Sequence, residues 1–162
     1  MRKIILFFSI IAVVVACSVS CKKATLDPGT TIASKAANGW WCTMTYNGAD
    51  IYGIGTFFFS TYNTAANDDS LWLDDHGNAW QVKFKVLINC KTLTFAITNG
   101  QNQYYNSTIS VTNGKVLPGA GHSKSGVVTD SIYMQVTFSD DPNSLQYVIA
   151  GTARTGLIQD DY

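Results

Sequence analysis

From Trp80 to Ile88 the chain alternates with a period of two. Trp80, Val82, Phe84, Val86 and Ile88 take one phase, and Gln81, Lys83 and Lys85 take the other. Successive side chains of a strand point to opposite faces, so this segment predicts a strand with one buried and one wet face. Composition points the same way. The 11 acidic residues are all Asp, so the good helix former Glu is absent. Thr, Val, Ile, Tyr, Phe and Trp, which suit a pleated, half-buried surface, are plentiful instead. A chain of 162 residues is long enough for one core. Acidic and basic residues balance and the lysines are scattered, which leaves no electrostatic footprint for nucleic acid.

Seven further segments carry the strand pattern. Trp40 to Tyr46 sets Trp40, Cys42, Met44 and Tyr46 against Trp41, Thr43 and Thr45. Ile54 to Tyr62 runs through Phe57-Phe58-Phe59, and Ser70 to Asp74 follows it. Thr92 to Thr98 buries Leu93, Phe95 and Ile97, and Ser107 to Thr112 buries Ile109 and Val111. Ser131 to Phe138 buries Ile132, Met134, Val136 and Phe138, and Leu145 to Thr152 buries Leu145, Tyr147 and Ile149. Asn-Gly, the strongest short hairpin signal, predicts turns at Asn47-Gly48, Asn99-Gly100 and Asn113-Gly114, with another at His76-Gly77-Asn78. Eight antiparallel strands with local connections predict an all-β, closed up-and-down barrel, because closure removes exposed edges. One short helix is expected between Ile32 and Asn38, stopped by Asn38-Gly39.

The N-terminus reads as an address. Arg2 and Lys3 precede an apolar run from Ile4 to Val15. That run is too short for a membrane-spanning helix, which needs about 20 residues, and has the layout of a secretory signal. Val14-Val15-Ala16-Cys17 resembles a bacterial lipobox, which implies cleavage after residue 16 and lipidation of Cys17. Ser18-Val19-Ser20-Cys21 is the alternative. Residues 17–37 then form the lipidated Cys, a polar spacer and the short helix, and residues 38–162 form one barrel. Lys22 and Lys23 stand where surface-exported lipoproteins carry an acidic run, which favours a periplasm-facing place on the outer membrane. Cys42 and Cys90 have no CxxC spacing and no adjacent His, so they are not a zinc site. Either they pair as a disulfide in an oxidising periplasm or both are small core residues.

The inward phase supplies the candidate ligand contacts: Trp40, Met44, Phe57, Phe59, Trp80, Phe84, Phe95, Met134, Phe138 and Tyr147. This face is expected to hold no charge and little hydroxyl. An eight-stranded barrel is either filled by its side chains or holds one small ligand. A ligand inside would be apolar, since each unpaired buried hydroxyl costs about 1–3 kcal/mol.

Several stretches are distinctive: Phe59 to Asp68 (FSTYNTAAND), Leu71 to Trp80 (LWLDDHGNAW), Gly39-Trp40-Trp41, Thr112 to Ala120 (TNGKVLPGA), Asp130-Ser131-Ile132, and Ile149 to Gly156. Together they resemble the lipid-binding putative hydrolases, small lipoproteins of Gram-negative gut bacteria. The resemblance implies a lipocalin-like barrel on a lipid anchor, with a lipid or other apolar small molecule as ligand. Members generally have an aliphatic residue where Cys42 stands, so a Cys42–Cys90 bridge would be peculiar to this chain.

The residues give hydrolysis little support. Gly121-His122-Ser123-Lys124-Ser125-Gly126 has Ser125 where a nucleophile elbow needs Gly, and reads as a Ser/Gly loop. His76 lies in a turn beside Asp74 and Asp75, and no spacing places Ser60 or Ser70 at it. The doublets Asp68-Asp69, Asp74-Asp75, Asp140-Asp141 and Asp160-Asp161 read as strand ends, and the first two face opposite ends of one strand, too far apart for an acid/base pair. The sequence therefore singles out no catalytic residue, cofactor or metal ligand. Trp41 and Trp72 fall on outward phases, where exposed indoles stack on sugars. The expectation is an anchored lipid-binding barrel, with a glycan-binding lipoprotein and a lipid esterase as alternatives.

Overall fold

The computed structural model describes residues 30–162. Cys17, Cys21, the signal and most of the spacer lie outside the described residues. Eight strands follow in chain order: β1 (Asn38–Thr45), β2 (Phe57–Asn63), β3 (Ser70–Asp74), β4 (Lys83–Asn89), β5 (Thr94–Gln101), β6 (Thr108–His122), β7 (Val128–Phe138) and β8 (Tyr147–Ala153). Each pairs antiparallel with the next, and β8 returns to β1 through a register that sets Cys42 against Gly151. The result is the closed up-and-down barrel that alternation predicts. Connections β1–β2, β3–β4, β5–β6 and β7–β8 lie at one end, here the upper. The other three connections lie at the lower end, where residue 30 and the C-terminal segment also emerge.

Two of the three Asn-Gly pairs are not turns. Asn47-Gly48 does reverse the chain, with Tyr46 and Ala49 exchanging both backbone hydrogen bonds (2.9 and 3.0 Å). Asn99-Gly100 and Asn113-Gly114 lie inside β5 and β6, where the register shifts at irregularities. Asn99 and Asn113 do adopt positive φ (53° and 54°), as the pairs require. The same left-handed residue that makes a hairpin turn also inserts a bulge into a continuing strand. β6 consequently runs 15 residues, well past the expected end at Thr112, to His122, and the Ser/Gly loop is confined to Ser123–Gly126. Its outer part is exposed on both faces, so alternation fades there.

The expected helix reduces to one 3-10 turn, Ser34–Ala36. Ala33 and Ala36 wedge into the lower end of the core, and Ala37 is already extended to enter β1. The Thr61 hydroxyl donates to the Ala36 carbonyl and accepts from the Trp40 indole N–H at 2.9 Å. That arrangement closes the barrel floor with its polar atoms paired.

Candidate functional site

The ten inward candidates divide simply. Trp40, Met44, Phe57, Phe59, Phe84, Phe95, Met134, Phe138 and Tyr147 are all buried at 4% exposure or less, packed against one another and against Leu71, Leu73, Val86, Ile109 and Ile132. Trp80 is half-buried at the upper end, stacked on Phe138 with centroids 4.5 Å apart and planes 4° apart. Tyr52, from the β1–β2 connection, closes over this stack and shares a 3.0 Å hydrogen bond with the Tyr147 hydroxyl. The interior is therefore filled by its own side chains.

Charge does enter the buried ends of the barrel, on connections and the C-terminal segment rather than on the inward face of the strands. Asp75 is 1% exposed and accepts backbone N–H bonds from Gly77, Ala79, Trp80 and Val82, which shapes the β3–β4 connection. Asp141 accepts from Asn143 and Leu145 N–H and from the Tyr147 hydroxyl. Asp160, near the C-terminus, accepts from Ser125 at the tip of the β6–β7 hairpin and from Thr155. Hydrogen bonding from the Thr155 hydroxyl first, and then from Ser125, outweighs burial and brings the Asp160 carboxyl down to about 2. Burial works to raise Asp141, but its three donors hold it below the usual range. A carboxyl depressed in the folded state stabilises fully above its unfolded pKa, about 3.9, and loses that contribution as pH falls towards the folded value. The urea midpoint should hold from about pH 7 to 5 and fall between about pH 4 and 2. The fall should be shallower in Asp160→Asn, as a urea series read by tryptophan fluorescence will show.

The two cysteines are both free thiols, so the disulfide alternative is not formed. Cys42 faces the core from β1, and burial pushes its thiol pKa up. Cys90 lies in the β4–β5 connection, and strand order keeps the two apart. The outward tryptophans are not open sugar platforms either. Trp41 packs between Phe58 and Tyr162, each 5.5 Å away by centroid, and Trp72 is covered by Lys83 and Lys85 at 5.5 and 4.8 Å. The hydroxyl that spacing did not place at His76 is present: Ser60 Oγ lies 2.7 Å from Nε2.

A groove of about 800 Å³ opens on the outer wall. Leu87, Ile88 and Asn89 of β4, Thr94, Phe95 and Ala96 of β5, Asn113, Gly114 and Lys115 of β6, and Tyr133 of β7 line it. The bulges create it. Phe95 pairs with Gly114, where a Cβ would stand 2.3 Å from the ring, so only glycine lets this ring lie against β6. Leu87 is 65% exposed and sits opposite the small Ala96, which leaves an apolar depression. Lys115 is the one charged residue of the lining, its Nζ 5.2 Å from the centroid of Tyr133. Sequence reading missed the groove because its shape comes from irregular strand pairing rather than from alternation. Outward Leu87, breaking the polar phase set by Lys83 and Lys85, was the available signal.

A sequence profile described as lipid-binding putative hydrolase matches residues 25–158. The chain belongs to this family. No curated protein matches the chain. The match covers all eight strands, so the family is that of the whole barrel. This lipid-binding family member is a filled barrel with an amphipathic groove on its outer wall. No helix among the described residues is long and apolar enough to cross a membrane.

Proposed function

We propose that the protein binds an anionic single-chain amphiphile, such as a long-chain fatty acid, in the β4–β7 groove. The observation that carries this reading is the pairing of exposed Leu87 and Ala96 with a lone ammonium, Lys115, in one groove of about 800 Å³. That volume lies within the roughly 300–1,000 Å³ of small-molecule sites. An acyl chain loses water-exposed area on the apolar lining, and a carboxylate or phosphate head pairs with Lys115. A ligand inside the barrel, by contrast, must displace side chains packed at core density, which costs the contacts among them.

The proposal extends to location: an outer-membrane lipoprotein, periplasm-facing, anchored through Cys17 or Cys21. Three features support it: the lipobox-like sequence, the emergence of residue 30 at the lower end, and the groove, which lies towards that end along β4 and β5. The twelve residues between Cys17 and residue 30 span at most about 45 Å when fully extended, so the tether would keep the groove near the bilayer.

Titration of residues 22–162 with palmitate tests the binding. Leu87→Arg should weaken binding at least tenfold, about 1.4 kcal/mol. Lys115→Glu should weaken palmitate binding but leave hexadecanol nearly unchanged. Equal palmitate affinity in all three proteins would remove the groove as the site.

A further inference from the structure

Ser60 projects from β2 onto the outer wall, on the phase opposite the core residues Phe59 and Thr61. The β3–β4 connection folds back over this wall. Asp75 to Asn78 make a tight turn closed by a 2.9 Å bond from Asn78 N–H to the Asp75 carbonyl, with His76 and Gly77 at positive φ (54° and 76°). The Asn78 side-chain amide donates to the Phe58 carbonyl at 3.2 Å, and the imidazole stacks on the Phe58 ring with centroids 5.3 Å apart. His76 Nε2 thereby stands 2.7 Å from Ser60 Oγ. Its other nitrogen, Nδ1, lies 3.9 Å from Asp74 Oδ1, which is ion-pair range; such contacts often tighten only when substrate binds.

Asp74 is 3% exposed and rigidly held. It accepts from the Tyr104 hydroxyl (2.6 Å), the Tyr62 hydroxyl (2.9 Å) and the His76 backbone N–H (2.9 Å), with Lys83 Nζ 3.7 Å away. Burial works to raise its pKa, but those hydrogen bonds outweigh it and keep the carboxylate ionised. Hydroxyl, imidazole and carboxylate thus stand in the order that activates a nucleophile.

We propose that Ser60 is an esterase nucleophile, with His76 as its general base and Asp74 as the positioning residue. The substrate class is an ester with an apolar or aromatic acyl group, because the wall beside Ser60 is aromatic: Phe58 packs edge-on against Trp41. Ser60 Oγ attacks the ester carbonyl carbon as its proton passes to His76 Nε2. The alcohol leaves with that proton, and the acyl group stays on Ser60. Water then attacks the acyl carbon and gives a proton to the same nitrogen; the carboxylic acid departs and Ser60 regains its proton. This wall, on β2 and β3, is separate from the β4–β7 groove, so the proposal does not rest on lipid binding there.

A fluorophosphonate probe on the full chain tests it. One adduct is expected, on the Ser60 peptide by mass spectrometry, absent in Ser60→Ala and formed about a hundredfold more slowly in His76→Ala. Both variants should keep the wild-type circular dichroism, since both positions are on the outer surface. Hydrolysis of p-nitrophenyl butyrate should fall in parallel. Asp74→Asn reads the positioning role. Labelling should slow about tenfold in Asp74→Asn and recover in part in Asp74→Glu, which restores the carboxylate. An unlabelled Ser60, or equal labelling in His76→Ala, overturns the proposal and leaves the Ser60–His76 bond as a pin for the turn.

Discussion

Asp75→Ala should lower stability by about 3–5 kcal/mol, among the largest effects of any single substitution in the molecule. The carboxylate sits at 1% exposure and receives four backbone N–H groups from one loop, at 2.7 to 3.3 Å. Removing it leaves those donors facing a space with no acceptor, and each buried unsatisfied donor costs about 1–3 kcal/mol. The same loop presents Trp80 to Phe138 and Tyr147, so the upper end of the barrel should loosen with it. Urea denaturation should show the loss, with the melting temperature down by roughly 10 °C or more. Asp69→Ala, exposed at the lower end, should stay within about 0.5 kcal/mol. Comparable small losses in both variants would mean that water replaces the carboxylate without penalty.

Gly151→Ala should be nearly as severe, for a steric reason. Gly151 pairs with Cys42 across the β1–β8 seam that closes the barrel. A Cβ there would stand 2.1 Å from the Trp41 carbonyl oxygen and 2.7 Å from both Cys42 Cα and Sγ. Backbone atoms of a paired strand cannot yield as a flexible side-chain tip can, so the seam must spread. Overpacking costs about 1–3 kcal/mol, and here the upper end of that range is expected because the contact is with backbone. Thr43→Ala, exposed on β1 next to Cys42, should change stability by less than about 0.5 kcal/mol. A melting temperature for Gly151→Ala equal to that of Thr43→Ala would show that the seam is more compliant than its geometry implies.

The barrel was legible because alternation is a local signal and closure follows from counting antiparallel strands. Ser70–Asp74 matched its strand to the residue, and Trp40, Cys42 and Met44 took the inward phase as read. What stayed hidden depends on long-range pairing. Positive φ at Asn99 and Asn113 was foreseeable, but whether the chain then reverses or bulges is decided by the strand beside it. The groove follows from that choice. The meeting of Ser60 with His76 follows from the Ser60–Asp74 register, which no spacing in the sequence reports. Likewise the Asp doublets looked like solvated strand ends, whereas Asp75, Asp141 and Asp160 are buried acceptors that fold their loops.

The central claim is that an acyl ligand lies on the outer wall over β4–β7 while the barrel interior stays filled. Nuclear Overhauser contacts between carbon-13-labelled palmitate and residues 22–162 test it most directly. Contacts are expected from the chain methylenes to Leu87, Ala96 and Tyr133, with the carboxylate perturbing Lys115. Contacts to Met134, Phe84 and Trp40 would instead place the ligand inside the barrel and contradict it.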